Sequence, residues 1–124
     1  MRVLCVERDF LALRHMKREL PKIIPEAEIR FCCDPDDALA LAGNTGCDIL
    51  LTGIDMGTAR NEGITLARKV QAINPRVNII FVTVCDEREY ARDLVSLRVS
   101  GYVRKPYEPQ QLAAEFAHLL YAAG

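Results

Sequence analysis

A chain of 124 residues with a formal net charge of −1 is sized for one domain with its own core, and sets up no global field toward nucleic acid or membrane. Half of the residues are hydrophobic and 27% are charged, an ordinary balance for a globular protein. The most apolar run, residues 79–85, is far too short to span a bilayer, and Met1-Arg2-Val3-Leu4 enters a strand pattern without the layout of a signal peptide, so a cytoplasmic protein is expected.

Residues 2–6 read as a short buried strand, followed by the charged turn Glu7-Arg8-Asp9. Asp9 is placed to cap a helix over residues 10–20, where Phe10, Leu13, Met16, Lys17 and Leu20 recur at helical spacing, and Pro21 with Pro25 is expected to end it. A second strand follows over 27–33, with Ile29 and Phe31 alternating with charged neighbours. Asp34-Pro35-Asp36-Asp37 is a helix start: an acid at the N-cap, proline at the first helical position, and acids facing the helix dipole. That helix is expected from 38 to 42, stopping at Gly43-Asn44.

The third strand is expected over Asp48-Ile49-Leu50-Leu51-Thr52-Gly53-Ile54-Asp55-Met56, where apolar residues run into a glycine, an aspartate and a loop, and the functional reading turns on it. Gly57 to Glu62 is a polar loop in which Asn61 or Thr58 is placed to cap a helix over 63–73, closed by Asn74-Pro75. Residues 77–84 form an apolar, β-branched fourth strand. Asp86, with Glu89 in capping-box position, starts a helix expected to reach Leu97. Residues 99–104 are the fifth strand, Lys105-Pro106 turns the chain, and 110–121 is the last helix.

Five strands alternating with five helices must run parallel, because each crossover is a helix, and helices then cover both faces: an α/β, doubly wound, single-domain fold over residues 1–124. Functional groups of such folds gather outside the carboxyl ends of the strands, here Glu7-Arg8-Asp9, Gly53-Ile54-Asp55, Thr83-Val84 and Arg104-Lys105. Carboxylates at the first and third strand ends suit a Mg²⁺ ion. The Thr83 hydroxyl and the Lys105 ammonium suit the oxygens of a phosphoryl group. Together they fit phosphoryl transfer to an aspartate, in which the protein positions groups and neutralises charge.

Other chemistries find less support. The five cysteines, Cys5, Cys32, Cys33, Cys47 and Cys85, include no C-x-x-C pair, and His15 and His118 lie in helical patterns, so zinc spacing is missing and reduced thiols are expected. Cys85 ends a strand near the rim, where a free thiol is expected. A flavodoxin-like small-molecule binder would need a phosphate-cradling loop after the first strand, where Glu7-Arg8-Asp9 stands instead. With no basic stripe and no helix-turn-helix pattern, direct contact with nucleic acid is not expected.

Over nearly its whole length the chain resembles a response-regulator receiver domain. The resemblance rests on the acidic turn after the first strand, Thr83 at the end of the fourth, and Gly101-Tyr102-Val103-Arg104-Lys105-Pro106. Phe10-Leu11-Ala12-Leu13, Gly63-Ile64-Thr65-Leu66-Ala67, Asn78-Ile79-Ile80-Phe81-Val82-Thr83 and Val99-Ser100-Gly101-Tyr102 look most like receivers of the LytTR type, which usually precede a DNA-binding domain and serve transcription regulation. The resemblance implies strand order 2-1-3-4-5, no classical enzyme activity, and a histidine kinase that phosphorylates an aspartate ending the third strand. It implies Mg²⁺ held by that aspartate and an acidic pair after the first strand. Thr83 and Lys105 would contact the phosphoryl group, and Tyr102 would be the switch aromatic.

The sequence departs from that pattern at its centre. The acidic pair falls on Glu7-Arg8, where Arg8 reverses a sign and Asp9 is a partial substitute. Aligned from Asp48, the acceptor position falls on Gly53, which cannot be phosphorylated; counted back from Gly63, it falls on Asp55. A two-residue slip preserves the side-chain face, but the second alignment needs a bulge or a longer strand at Thr52-Gly53. Glycine at 53 also suits a backbone that needs room or a positive φ. The expectation is therefore a receiver that no longer accepts phosphate, has no cofactor, and acts on an output protein or domain. The alternative is an active receiver phosphorylated on Asp55, with Glu7, Asp9 and Asp55 around Mg²⁺. A homodimer would use the face of helix four, strand five and helix five, with Arg98, Tyr102, Arg104 and Tyr107 as candidates.

Overall fold

The computed structural model describes residues 1–56 and 61–122. Along the chain it holds β1 (Arg2–Val6), α1 (Phe10–Ile23), β2 (Glu28–Cys32), α2 (Pro35–Thr45), β3 (Ile49–Thr52), α3 (Glu62–Ile73), β4 (Asn78–Thr83), a 3₁₀ turn (Glu87–Tyr90), α4 (Ala91–Leu94), β5 (Val99–Arg104) and α5 (Pro109–Ala122). The strands pair in parallel in the order β2-β1-β3-β4-β5. This is the doubly wound α/β sheet that the helical crossovers demand.

Strand side chains alternate between two cores. One face buries Leu4, Val6, Leu50, Ile79 and Phe81 against Ala38 and Ala42 of α2, Ile64, Ala67 and Val70 of α3, and Leu94 of α4. The other buries Val3, Cys5, Ile49, Leu51, Ile80 and Val82 against Met16 and Leu20 of α1 and Leu112 and Phe116 of α5. Each such side chain removed from water stabilises the fold by roughly 1.5–3 kcal/mol, so the sheet is anchored from both sides.

Register fixes what reaches the rim. Val6, Thr52, Phe81 and Tyr102 are partners in one row across β1, β3, β4 and β5. β1 and β3 stop there, and Glu7 and Gly53 follow directly, while β4 and β5 run on to Thr83 and Arg104. In β5, Ile79 pairs Val99 but Ile80 pairs Gly101, so Ser100 is a bulge, held by its hydroxyl on Asn78 Oδ1 at 2.8 Å. The bulge sets the phase of the rest of the strand: Tyr102 packs on the first core and Val103 on the second.

Several local expectations are corrected. Pro21 does not end the first helix, which continues to Ile23 and closes with the Ile24 amide on the Leu20 carbonyl at 2.9 Å. Burial of Leu20 and Ile24 in the second core outweighs the lost backbone bond. Of the helically spaced set Met16 and Leu20 are buried, whereas Phe10 is 70% exposed and Lys17 lies on the surface with its ammonium 5.9 Å from the Phe31 ring centre. The second helix starts at Pro35 behind the Asp34 cap, as expected, but passes through Gly43, where the space around a Cβ is open; the turn comes at Gly46, with φ of 83°. The fourth helix is one α turn preceded by a 3₁₀ turn, because Tyr90 at φ −117°, ψ 14° interrupts it. Asn61 stands at the N-cap of α3 in the left-handed region with no side-chain cap bond. The alternative cap Thr58 and the loop start at Gly57 lie outside the described residues.

Candidate functional site

Glu7, Arg8, Asp9, Gly53, Asp55, Thr83 and Lys105 all line one open cleft at the carboxyl ends of the strands. Topology causes this convergence: every parallel strand releases its next residues at the same edge of the sheet. The side chains nevertheless divide into separate sets.

Lys105, carried past the end of β5, donates to Glu7 Oε2 at 2.7 Å. Glu7 is buried and Lys105 half-buried, so this pair is poorly screened and closes the centre of the rim. Arg8 points elsewhere. Its Nη2 lies 4.0 Å from Asp34 at the start of α2, and its Nη1 lies 3.9 Å from Glu62 at the start of α3. Asp9 caps α1, its carboxylate accepting from the Leu11 amide at 3.1 Å. An acid thus occupies the helix start where a flavin phosphate would sit. The Thr83 hydroxyl is buried and accepts from the Cys85 amide at 3.3 Å.

Gly53 follows Thr52 directly and is buried, with β3 paired on both sides in unbroken register from Ile49 to Thr52. The bulge or longer strand required by the second alignment is absent. Gly53 needs neither room nor positive φ: a Cβ there would meet only the Val82 carbonyl oxygen at 3.5 Å and Met56 Cγ at 3.7 Å, ordinary contacts, and no left-handed φ is found there. The crowded glycine is Gly63, whose amide donates to the Ile54 carbonyl at 2.8 Å and whose Cα faces the Gly53 backbone. In the sequence Gly63 served as a helix start and a spacing mark, with no close approach expected there.

Asp55 is exposed and is held away from the Glu7–Lys105 pair. Its Oδ1 accepts from the Asn61 amide at 2.9 Å, and its Oδ2 accepts from the Tyr90 hydroxyl at 3.3 Å and from the Cys85 thiol at 3.7 Å. Burial, then Cys85 and Asp55 beside it, pushes the Tyr90 phenol up to about 12. Tyr90 is the residue that sequence reasoning missed. No local pattern marks a side chain that crosses to a residue 35 positions earlier.

On the adjoining face, the Tyr102 hydroxyl donates to the Cys85 carbonyl at 2.7 Å, and its ring lies 6.2 Å from that of Phe81. Burial first, and nearby Cys85 and acids next, raise its phenol well above the usual value. Arg104 pairs Asp86 at 3.4 Å, and Arg98 Nε donates to Asn78 Oδ1 at 3.3 Å. Tyr107 does not belong to this face: its hydroxyl meets Met16 Sδ at 3.7 Å and its ring meets the His15 ring at 5.9 Å, so it packs on α1. On α1, Glu19 pairs Arg18 at 3.2 Å and Lys22 at 3.9 Å. Arg14, Arg18 and Lys22 fall four residues apart on the exposed side of α1. Burial pushes the Cys5 thiol up strongly and the Cys47 thiol to about 11, which keeps both protonated.

A family model described as the response regulator receiver domain matches residues 3–117. This chain belongs to that family. Among solved structures the receiver is similar to a CheY-like response regulator receiver domain protein from Methanospirillum hungatei JF-1, with 23% identity and a TM-score of 0.83 over 96% of this chain and 92% of that one. It is similar to a two-component response regulator from Clostridium difficile, with 18% identity and a TM-score of 0.83 over 100% and 99%. The N-terminal domain of a response regulator/sensory box/GGDEF 3-domain protein from Carboxydothermus hydrogenoformans shares 24% identity at a TM-score of 0.80 over 99% and 98%. At these identities the likeness is one of fold. Among curated proteins none matches.

A receiver's divalent ion would need oxygen donors converging between β1 and β3. Here Gly53 brings no carboxylate, Glu7 is taken by Lys105, Asp9 is turned to its helix cap, and Arg8 adds a positive charge. Among the described residues no three acids, histidines or cysteines are gathered as a metal shell. The residues present do not fit the ion. Among the described residues, no helix is long and apolar enough to cross a membrane.

Proposed function

We propose that this receiver of two-component signalling works without aspartyl phosphorylation and without a cofactor, acting by protein contact rather than by turning over a substrate. The observation that carries the reading is Gly53 standing directly after β3 while Lys105, the expected phosphoryl contact, is closed on Glu7 at 2.7 Å. A lysine with a carboxylate already in hydrogen-bond reach has its charge satisfied, which supports a rim that needs no phosphoryl group. Asp55, engaged with Asn61, Tyr90 and Cys85, supports a structural role for the acid that the alternative alignment would phosphorylate.

In this reading the partner is an output protein or domain, with a histidine kinase as a docking rather than a phosphorylating partner. The surface offered is that of α4, β5 and α5, where Arg98 and Arg104 are exposed and Val95 is 83% exposed, and a homodimer would use the same face. The likeness of four stretches to LytTR receivers supports an output tied to transcription, reached through a partner and not by direct nucleic-acid contact, in the cytoplasm. The test is incubation with acetyl phosphate and Mg²⁺ followed by intact-mass measurement. The expected result is no phosphoryl adduct; a stoichiometric adduct that Asp55→Asn abolishes would replace this reading with the active one.

A further inference from the structure

We propose that the Arg8 guanidinium is a built-in cation of this rim, holding β1 to the first turns of α2 and α3 and standing in electrostatically for a divalent metal. The inference rests on the phosphate-independent reading and deepens it.

Glu7, Asp9, Asp34, Asp55 and Glu62 all lie around the carboxyl edge of the sheet, and a cluster of acids is unfavourable without counter-charge. Lys105 answers Glu7. Arg8 answers the other side of the rim with two different nitrogens on two different elements, Nη2 toward Asp34 and Nη1 toward Glu62. A forked guanidinium can reach two acids with separate nitrogens.

Both anchors matter to the backbone. Asp34 is the N-cap of α2, its carboxylate also accepting from the Asp36 amide at 3.3 Å. Glu62 opens α3 and immediately precedes Gly63, the residue seated on the Gly53 backbone. Arg8 is therefore placed to press the start of α3 against the end of β3, a task that a bridging ion would otherwise perform. Space is not what excludes a metal, since a side chain fits at Gly53 in ordinary contact. The charge of Arg8 joins the missing carboxylate at Gly53 and the Lys105 bond to Glu7 in excluding the ion.

The experiment is thermal unfolding of the whole chain in EDTA and across a MgCl₂ titration, for the native protein and for Arg8→Met, Gly53→Asp and the double variant Gly53→Asp/Arg8→Asp. The native Tm is expected not to move with Mg²⁺. Arg8→Met is expected to lower Tm by roughly 2–6 °C and to speed hydrogen exchange in the first turns of α2 and α3. Gly53→Asp alone is expected to remain blind to Mg²⁺, and the double variant is expected to show a saturable rise in Tm. The proposal is overturned by a Mg²⁺-dependent Tm in the native protein, by equal Mg²⁺ response in Gly53→Asp, or by unchanged Tm and exchange in Arg8→Met. The last readouts stand even where the double variant fails to fold. Aspartyl labelling of the native chain would defeat the phosphate-independent reading without altering any of these curves.

Discussion

Gly63→Ala is the substitution for which the structure makes the sharpest demand. A Cβ at this position would stand 2.6 Å from the Gly53 carbonyl carbon and 3.0 Å from Ile54 Cα, and would overlap the Gly53 carbonyl oxygen outright. All three are backbone atoms, so no side chain can rotate away. Relief requires moving the start of α3 off the end of β3 by an ångström or more, which stretches the 2.8 Å bond from the Gly63 amide to the Ile54 carbonyl. Alanine gains about 0.5–1 kcal/mol over glycine in helix propensity and unfolded-state entropy. Forcing backbone apart in a packed site costs about 1–3 kcal/mol or more, with the weakened hydrogen bond adding about 1 kcal/mol. The net expectation is a destabilisation of about 1–3 kcal/mol, or a Tm lower by roughly 3–15 °C for a domain of this size. The assay is urea and thermal unfolding followed by circular dichroism. An alanine variant as stable as the native chain, or more stable, would refute the close approach of the start of α3 to the end of β3.

Three further outcomes are expected of the same structure. Lys105→Met leaves the buried Glu7 carboxylate without its partner and is expected to cost about 2 kcal/mol, while Glu7→Gln/Lys105→Met recovers most of it; equal losses in single and double variants would deny the coupling. Tyr102→Phe removes the hydroxyl bonded to the Cys85 carbonyl at 2.7 Å and is expected to cost about 1 kcal/mol in urea unfolding; no change would mean that the bond is not formed in solution. The Tyr90 and Tyr107 phenols are pushed up to about 12 and the Cys47 thiol to about 11, mainly by burial, from ordinary values of 10 and 9. The folded state holds these protons more tightly than the unfolded chain, so their contribution is complete below about pH 9 and is lost as pH rises toward about 12. Urea midpoints should fall across that window, less steeply in Tyr90→Phe, and a flat profile would contradict the burial of these groups.

Much of the fold could be read along the chain because local pattern carries it. Short apolar runs separated by amphipathic stretches required parallel strands, and parallel strands required a rim holding Glu7, Gly53, Thr83 and Lys105. The strand 99–104 was read to the residue, with Lys105-Pro106 turning the chain after it. Helix ends fared worse wherever packing overrode propensity, as at Pro21, where Leu20 and Ile24 are buried beneath an otherwise unfavourable residue.

Which rim residues face one another was decided only in three dimensions. Lys105 and Glu7 are 98 residues apart, and no spacing rule links Arg8 to both Asp34 and Glu62. Where β3 stops pairing, directly before Gly53, is likewise set by β1 and β4 on either side of it and not by its own four residues. Residue types and their order determined the sheet, its two cores and the edge where chemistry would collect. Strand register and the packing of the elements on the sheet decided that the lysine meets a glutamate and that the aspartate turns to a tyrosine and a cysteine. Hydrophobic periodicity is a local property of the chain, whereas charge pairing depends on distances that exist only after the sheet has closed.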